Sequence, residues 1–198
     1  SQTLRTVIAG LVRDVDDGAD SGAVEAKLVL VDYRRSLLGT VPDAALAGYA
    51  SSAQNAAALA GQLAQYLSAR LPGEDVTAEQ LADGSWWTGP VIYLVIDDYD
   101  LVATASGNPL QPLLELLGHG RDIGFRVILA RRSGGLGRAL FEPLIARLRD
   151  LSCDVLLHSG DADEGYIVGR HRMQKLPPGR AELISRSRGT EMIQVAHA

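Results

Sequence analysis

The sequence predicts an α/β domain: a mostly parallel sheet with helices on both faces and a β-hairpin at its C-terminal end. Three observations carry this. Short, largely apolar runs recur at Leu28–Val31, Val91–Ile96 and Phe125–Ala130. Each is bounded by polar or turn residues, as strands buried on both faces are. Between the runs, apolar residues recur at helical spacing, and strands alternating with helices through short joints call for parallel pairing.

The 198 residues suit one α/β domain, and 46% hydrophobic with 22% charged residues is ordinary for a chain that buries a core. The net charge of −5 argues against a dedicated nucleic-acid binder, which carries a basic face. A single cysteine, Cys153, excludes an internal disulfide and a zinc cluster. The longest apolar run has the length of a strand, not of the roughly 18–20 residues that span a membrane, and the first residues lack a signal-peptide core. Together these point to a cytoplasmic domain.

Taken in order, Leu4, Val7, Ile8, Leu11 and Val12 give a first helix one apolar face, and the acidic, small-residue stretch from Asp14 to Gly22 reads as a loop. Leu28–Asp32 comes next as a buried strand. A helix that precedes the first strand suggests a chain entering partway through a βαβ unit, with one strand upstream of Ser1. Ser51-Ser52 can cap a helix whose face is Ala53, Ala56, Leu59, Ala60, Leu63 and Leu67, and Thr77-Ala-Glu-Gln80 has capping-box chemistry for a short second one. Gly84–Pro90 turns into the strand Val91–Ile96. Leu110, Leu113, Leu114 and Leu117 mark another amphipathic helix. Phe125–Ala130 is a third strand, Leu140, Leu144, Ile145 and Leu148 a further helical face, and Asp154–His158 a fourth strand. The tail alternates as a hairpin around Ser187-Arg-Gly-Thr190.

Six apolar residues ending in Asp97-Asp98 form a Walker B arrangement. A buried parallel strand delivers its last residues rigidly to the ligand edge of the sheet, where Asp97 can hold Mg²⁺ and Asp98 can orient a water molecule. The companion G-x-x-x-x-G-K-[ST] loop does not occur in the sequence. Ser1-Gln-Thr-Leu-Arg5 nevertheless resembles the start of the helix that such a loop leads into. Ser1 is then the expected Mg²⁺-binding hydroxyl, with the glycines and lysine just before it; the plainer reading of Ser1 is a helix cap.

Six blocks carry a family resemblance: Asp32-Tyr-Arg-Arg-Ser-Leu-Leu38, Trp86-Trp-Thr-Gly-Pro90, Asp97-Asp-Tyr-Asp-Leu-Val102, Gly107-Asn-Pro-Leu110, Ala130-Arg-Arg-Ser-Gly-Gly135 and Leu176-Pro-Pro-Gly-Arg180. In this order they resemble the last ATPase domain of the EccC proteins, the FtsK/SpoIIIE-type motors of actinobacterial type VII (ESX) secretion. The resemblance spans residues 1–198. It implies a single RecA-like P-loop domain that lacks the upstream first strand and most of the P-loop, with ATP and Mg²⁺ as cofactors and Ser1, Asp97 and Arg131 near nucleotide. It further implies recognition of the C-terminal signal of WXG-type secreted proteins, and association with the motor's other ATPase domains in an oligomer. The upstream chain would reach the membrane complex from its cytosolic face.

Two departures bear on catalysis. Such motors place glutamate after the Walker B aspartate; Asp98 is one methylene shorter, which sets its carboxylate about 1–1.5 Å back from the water it would orient, a large handicap in rate. The sensor segment T-Q-R-P appears as Ala130-Arg131-Arg132-Ser133. The leading expectation is a domain that binds ATP weakly or for regulation and recognises substrate. A force-generating ATPase with Asp98 as its base is the alternative, a DNA translocase a weaker third, and a scaffold without ligand a fourth.

Other residues have plainer readings. Arg34-Arg35 are a solvated pair at a strand end or reach a neighbour's phosphate. One of Trp86 and Trp87 lids the core while the other offers an interface. Gly134-Gly135-Leu136-Gly137 is a flexible joint, not a phosphate nest, for it lacks lysine. Asp161-Ala-Asp-Glu164 is an acidic turn without calcium-loop spacing. The four histidines share no motif, and Cys153 is a small buried residue.

Overall fold

The computed structural model describes residues 2–19 and 25–196; Ser1 and His197 lie outside the described residues. The chain divides into two compact units, Thr3–Ala130 and the segment from Arg131 onward.

In the first unit, the helix α1 (Gln2–Ala19) leads to strands β1 (Ala26–Val31) and β2 (Leu46–Ala50). Next come helices α2 (Ala53–Ser68) and α3 (Ala78–Asp83), the strand β3 (Val91–Ile96), the one-turn helix α4 (Tyr99–Val102) and the strand β4 (Phe125–Leu129). The four strands form one parallel sheet in the order β2-β1-β3-β4. Leu28 and Leu30 point to one face, where Leu4 and Ile8 of α1 bury against them together with Leu37, Val41 and Val95. Removing Leu4 and Ile8 from water contributes about 1.5–3 kcal/mol each.

A bulge between Leu28 and Val29 pairs Leu28 with Leu46 but Val29 with Gly48. It turns Gly48 to the opposite face, where a Cβ would stand 2.7 Å from Leu59 Cδ1. Gly48 therefore lets α2 lie close to its strand, and α2 buries Ala56, Ala60, Leu63 and Leu67. The caps form as the sequence predicts: the Ser52 hydroxyl accepts the Asn55 N–H at 3.3 Å, and Thr77 and Gln80 form the reciprocal box at 3.2 and 2.9 Å.

Several expectations need correction. α1 runs to Ala19, so the expected loop from Asp14 begins as helix. The sequence pattern does not mark β2 as a strand. The stretch from Leu110 to Leu117 is two 3-10 segments, Gln111–Leu113 and Glu115–His119, rather than one α-helix. Pro112 withholds a backbone donor, and Leu110, Leu113 and Leu116, three residues apart, are buried, with Leu117 beside them.

The second unit begins with helices α5 (Leu136–Ala139) and α6 (Pro143–Asp150). Strands β5 (Val155–His158), β6 (Tyr166–Val168), β7 (His171–Arg172), β8 (Arg180–Ser185) and β9 (Gly189–Gln194) complete it. The tail hairpin is β8–β9, pairing Ser185 with Gly189. The expected fourth strand is β5, in a sheet of its own: it pairs antiparallel with β8, Leu156 opposite Leu183, giving the order β5-β8-β9. Among the described residues, no helix is long and apolar enough to cross a membrane.

Candidate functional site

The backbone ladder of the first unit runs to the strand ends: the Asp97 N–H donates to Val31 O at 2.9 Å and the Asp32 N–H to Ala50 O at 2.9 Å. Asp32 and Asp97 are thereby fixed side by side at the carboxyl edge of the sheet, where α/β proteins bind ligands. Both are buried, at 1% and 4% exposure.

A buried carboxylate needs donors. Asp32 accepts the N–H groups of Ser36 at 3.0 Å and Leu37 at 2.7 Å, which folds residues 32–37 into a tight loop. Tyr49 donates its hydroxyl to Asp32 Oδ2 at 3.0 Å, and its phenol is pushed up to about 12, by burial first and by that bond second. Ser36 donates its hydroxyl to Asp97 Oδ2 at 2.6 Å, and the Asp98 N–H donates to Asp97 Oδ1 at 3.1 Å. Burial works against the Asp97 charge, yet the carboxyl sits below the ordinary range, with the Ser36 bond foremost among the influences that lower it. Tyr33 buries its hydroxyl with no hydrogen-bond partner among the described residues, and burial raises its phenol.

Asp98 adopts the left-handed conformation, φ 46° and ψ 52°. Its carboxylate meets Arg34, Oδ2 to Nε at 3.1 Å. Burial raises the Asp98 carboxyl most and the neighbouring Asp97 charge adds to it, while Arg34 lowers it. Of the Arg34-Arg35 pair, Arg34 thus has a partner within the same sheet edge.

Arg131 opens the second unit. Its guanidinium donates to two carbonyls of its own loop, Arg132 O at 3.0 Å and Gly134 O at 3.1 Å. In the adjoining glycine segment, the N–H groups of Gly135 and Gly137 do cradle an anion, and it is an internal one. Glu164 accepts them at 2.7 and 3.1 Å, and these bonds, with the Gly137 one foremost, hold its carboxyl below the ordinary range. The acidic turn therefore closes a glycine nest.

The structure brings Asp97 and Asp98 together with Asp32, Arg34, Ser36 and Tyr49. Sequence reasoning gave Asp32, Ser36 and Tyr49 no role, though an aspartate ending an apolar strand with a serine four residues on is a visible loop-capping signal. The chemistry of this donor set fits Mg²⁺ held by Asp97 through water. Among the described residues, no cluster of three or more His, Cys, Asp or Glu side chains is placed to hold a metal directly.

Trp86 and Trp87 are both half-buried. Their indole N–H groups donate to Arg70 O at 2.8 Å and Asp122 O at 2.7 Å. Arg70, only 4% exposed, lies 4.2 Å from the Trp87 ring and 4.6 Å from the Tyr66 ring. The tryptophans staple their turn to the end of α2. Cys153 is exposed rather than buried, and desolvation by its neighbours still raises its thiol.

The second unit also carries a groove of about 480 Å³, lined by Leu140, Phe141, Ala146, Val155, Val168 and Ile184, with Arg149, Asp150 and Arg186 as its charged members. Phe141 is 84% exposed. Sequence reasoning did not locate this groove, because its lining comes from α6, β5, β6 and β8, which only the fold brings together.

Over 193 residues the chain is 47% identical to the ESX-4 secretion system protein EccC4 of Mycobacterium tuberculosis, covering 98% of this chain and 15% of that protein. The chain belongs to the EccC family. It matches the cytoplasmic domain of the Thermomonospora curvata type VII secretion ATPase EccC with a TM-score of 0.83 at 46% identity, over 87% of this chain and 20% of that one. A structure of ATPases 2 and 3 of T. curvata EccC, in complex with a signal sequence peptide, matches equally over 31% of its length. This chain therefore spans about 15% of the length of its curated EccC relatives and is a RecA-like EccC ATPase domain, FtsK/SpoIIIE-like in kind. No family model matches the chain.

Proposed function

We propose that this EccC domain, the last of its motor, is the receiving module for the C-terminal signal of WXG-type secreted proteins, and that it binds ATP weakly, for regulation. The observation that carries the reading is the groove beneath Phe141. An 84% exposed phenylalanine beside an apolar groove of about 480 Å³ is a surface suited to the apolar face of a helical peptide. The signal peptide bound by T. curvata ATPases 2 and 3 supports the same assignment of partner.

At the sheet edge, Asp97 is the residue to hold Mg²⁺, and Mg²⁺ bound there would neutralise charge on the phosphates; the family resemblance adds Ser1 and Arg131 as nucleotide contacts. Asp98, paired with Arg34 and short for its task, supports slow hydrolysis. Partners on this reading are the secreted substrate, the other ATPase domains of the motor in an oligomer, and the membrane complex reached through the rest of the chain on the cytosolic side.

The test is substitution within the groove. Phe141→Ala and Ile184→Glu, made in the full-length chain, are expected to weaken binding of a signal peptide by about tenfold or more, as loss of a buried anchor does. Leu81→Ser, on the first unit, is expected to leave it unchanged. Equal affinity in all three variants would overturn the assignment.

A further inference from the structure

We propose that Arg34 is a positioning residue that holds the Asp98 carboxylate in an idle orientation, so that the domain retains nucleotide without turning it over until Arg34 withdraws. The inference rests on the nucleotide-binding reading above and adds to it a control element.

The geometry begins with register. β1 pairs with β3 as Val31 opposite Ile96, so Arg34 and Asp98 leave adjacent strand ends only a few residues beyond the last ladder pair. An arginine–carboxylate pair at the surface is ordinarily worth little, because two long side chains must be ordered to make it. Here the loop is already ordered. Asp32 holds the N–H groups of Ser36 and Leu37, and Ser36 is tied to Asp97 across the strand gap. Arg34 is thus presented by a pinned loop, and its pairing with Asp98 costs less entropy than usual.

Backbone conformation points the same way. Among the described residues, three non-glycine residues have positive φ: Arg35 at 57°, Asp98 at 46° and Ser152 at 56°. Two of the three flank this one contact. Such conformations are disfavoured for residues with a side chain and persist where the surroundings impose them, often at switches. Arg35 adjoins one partner of the contact and Asp98 is the other, with Nε and Oδ2 3.1 Å apart.

The chemical consequence is direct. A carboxylate accepts a proton from water only with a lone pair aimed at that water, and the Arg34 guanidinium takes up Oδ2. Paired with Arg34, Asp98 is turned along the sheet edge toward β1. Arg34 is half exposed, so a partner surface can draw it off without opening the core.

The experiment uses the full-length chain with five variants, Arg34→Gln, Arg34→Lys, Asp98→Asn, Asp97→Ala and the double variant Arg34→Gln/Asp98→Asn, measuring ATP turnover and Mg²⁺·ATP affinity on each. Release of the latch is expected to raise kcat by about tenfold or more in Arg34→Gln, given the ~10²–10⁴ a positioned general base contributes and the short reach of Asp98. KM and affinity are expected to stay unchanged. Arg34→Lys keeps the charge and is expected to stay at the parent rate, and the double variant is expected to match Asp98→Asn. An Arg34→Gln rate equal to the parent's, or a gain that persists with Asn at position 98, would overturn the latch while nucleotide still binds. Failure of the parent chain to bind Mg²⁺·ATP through this site, seen as an affinity that Asp97→Ala does not alter, would overturn the nucleotide reading and the latch with it.

Discussion

Ser36 donates its hydroxyl to Asp97 Oδ2 across 2.6 Å, joining two segments 61 residues apart in the sequence. Through Ser36 the two buried aspartates at the ends of β1 and β3 are braced by one loop, and the loop in turn presents Arg34. Ser36→Ala removes a bond to a buried charged group and is expected to cost about 2 kcal/mol. A urea unfolding series on the parent and the variant checks this; an unchanged midpoint would show that the brace adds nothing to stability.

Tyr33 supplies a contrast, because its hydroxyl is buried without a partner among the described residues. Tyr33→Phe keeps the ring and removes the desolvated oxygen, so it is expected to raise stability by about 1 kcal/mol. A fall in the thermal midpoint would mean that the hydroxyl makes a contact after all.

Arg70 makes the opposite prediction. Its guanidinium donates to Ile123 O at 3.1 Å and Pro90 O at 2.9 Å while stacked between Tyr66 and Trp87. Arg70→Ala orphans two carbonyls and empties the aromatic slot, and is expected to cost about 3 kcal/mol. Arg70→Lys is expected to recover little of it, since an ammonium lacks the planar fork that reaches both carbonyls. Denaturant titration of the two variants separates charge from shape.

Much of this fold could be read from residue order. Six apolar residues ending in two aspartates define β3 because few other arrangements bury such a run, and the Ser52 and Thr77 caps arise from local chemistry alone. β2 was hidden because Leu-Ala-Gly-Tyr-Ala has little strand propensity of its own and exists as a strand through its pairing with β1 and the close approach of Leu59 to Gly48. Leu110–Leu117 misled because leucines at i, i+3 and i+4 suit an α-helix, while Pro112 tightens the turn to three residues. β5 misled because its partner β8 lies more than twenty residues further on, beyond the reach of any local pattern. At the site, Asp97 and Asp98 were legible from their strand. The partners of both were not, since Ser36 and Arg34 meet them only through strand register.

Glu164 gives the second unit a pH dependence of predictable sign. Its carboxyl is lower in the folded chain than in the unfolded one, with the Gly137 N–H the leading cause. The stability it contributes is therefore fully present above the unfolded value of about 4.3 and is lost as pH falls through the lower folded value. Glu164→Gln is expected to flatten this acid limb, leaving a smaller difference from the parent at pH 3 than at pH 7. Parallel acid limbs in the two proteins would contradict the role of the nest.

The most direct measurement of the central claim is a calorimetric titration of the full-length chain with a C-terminal peptide of a WXG-type secreted protein, run with and without Mg²⁺·ATP. The expected result is micromolar binding that responds little to nucleotide and is weakened about tenfold or more in Phe141→Ala. Absence of peptide binding, together with fast ATP turnover that Asp98→Asn abolishes, would contradict it and make this domain a working motor rather than a receiver.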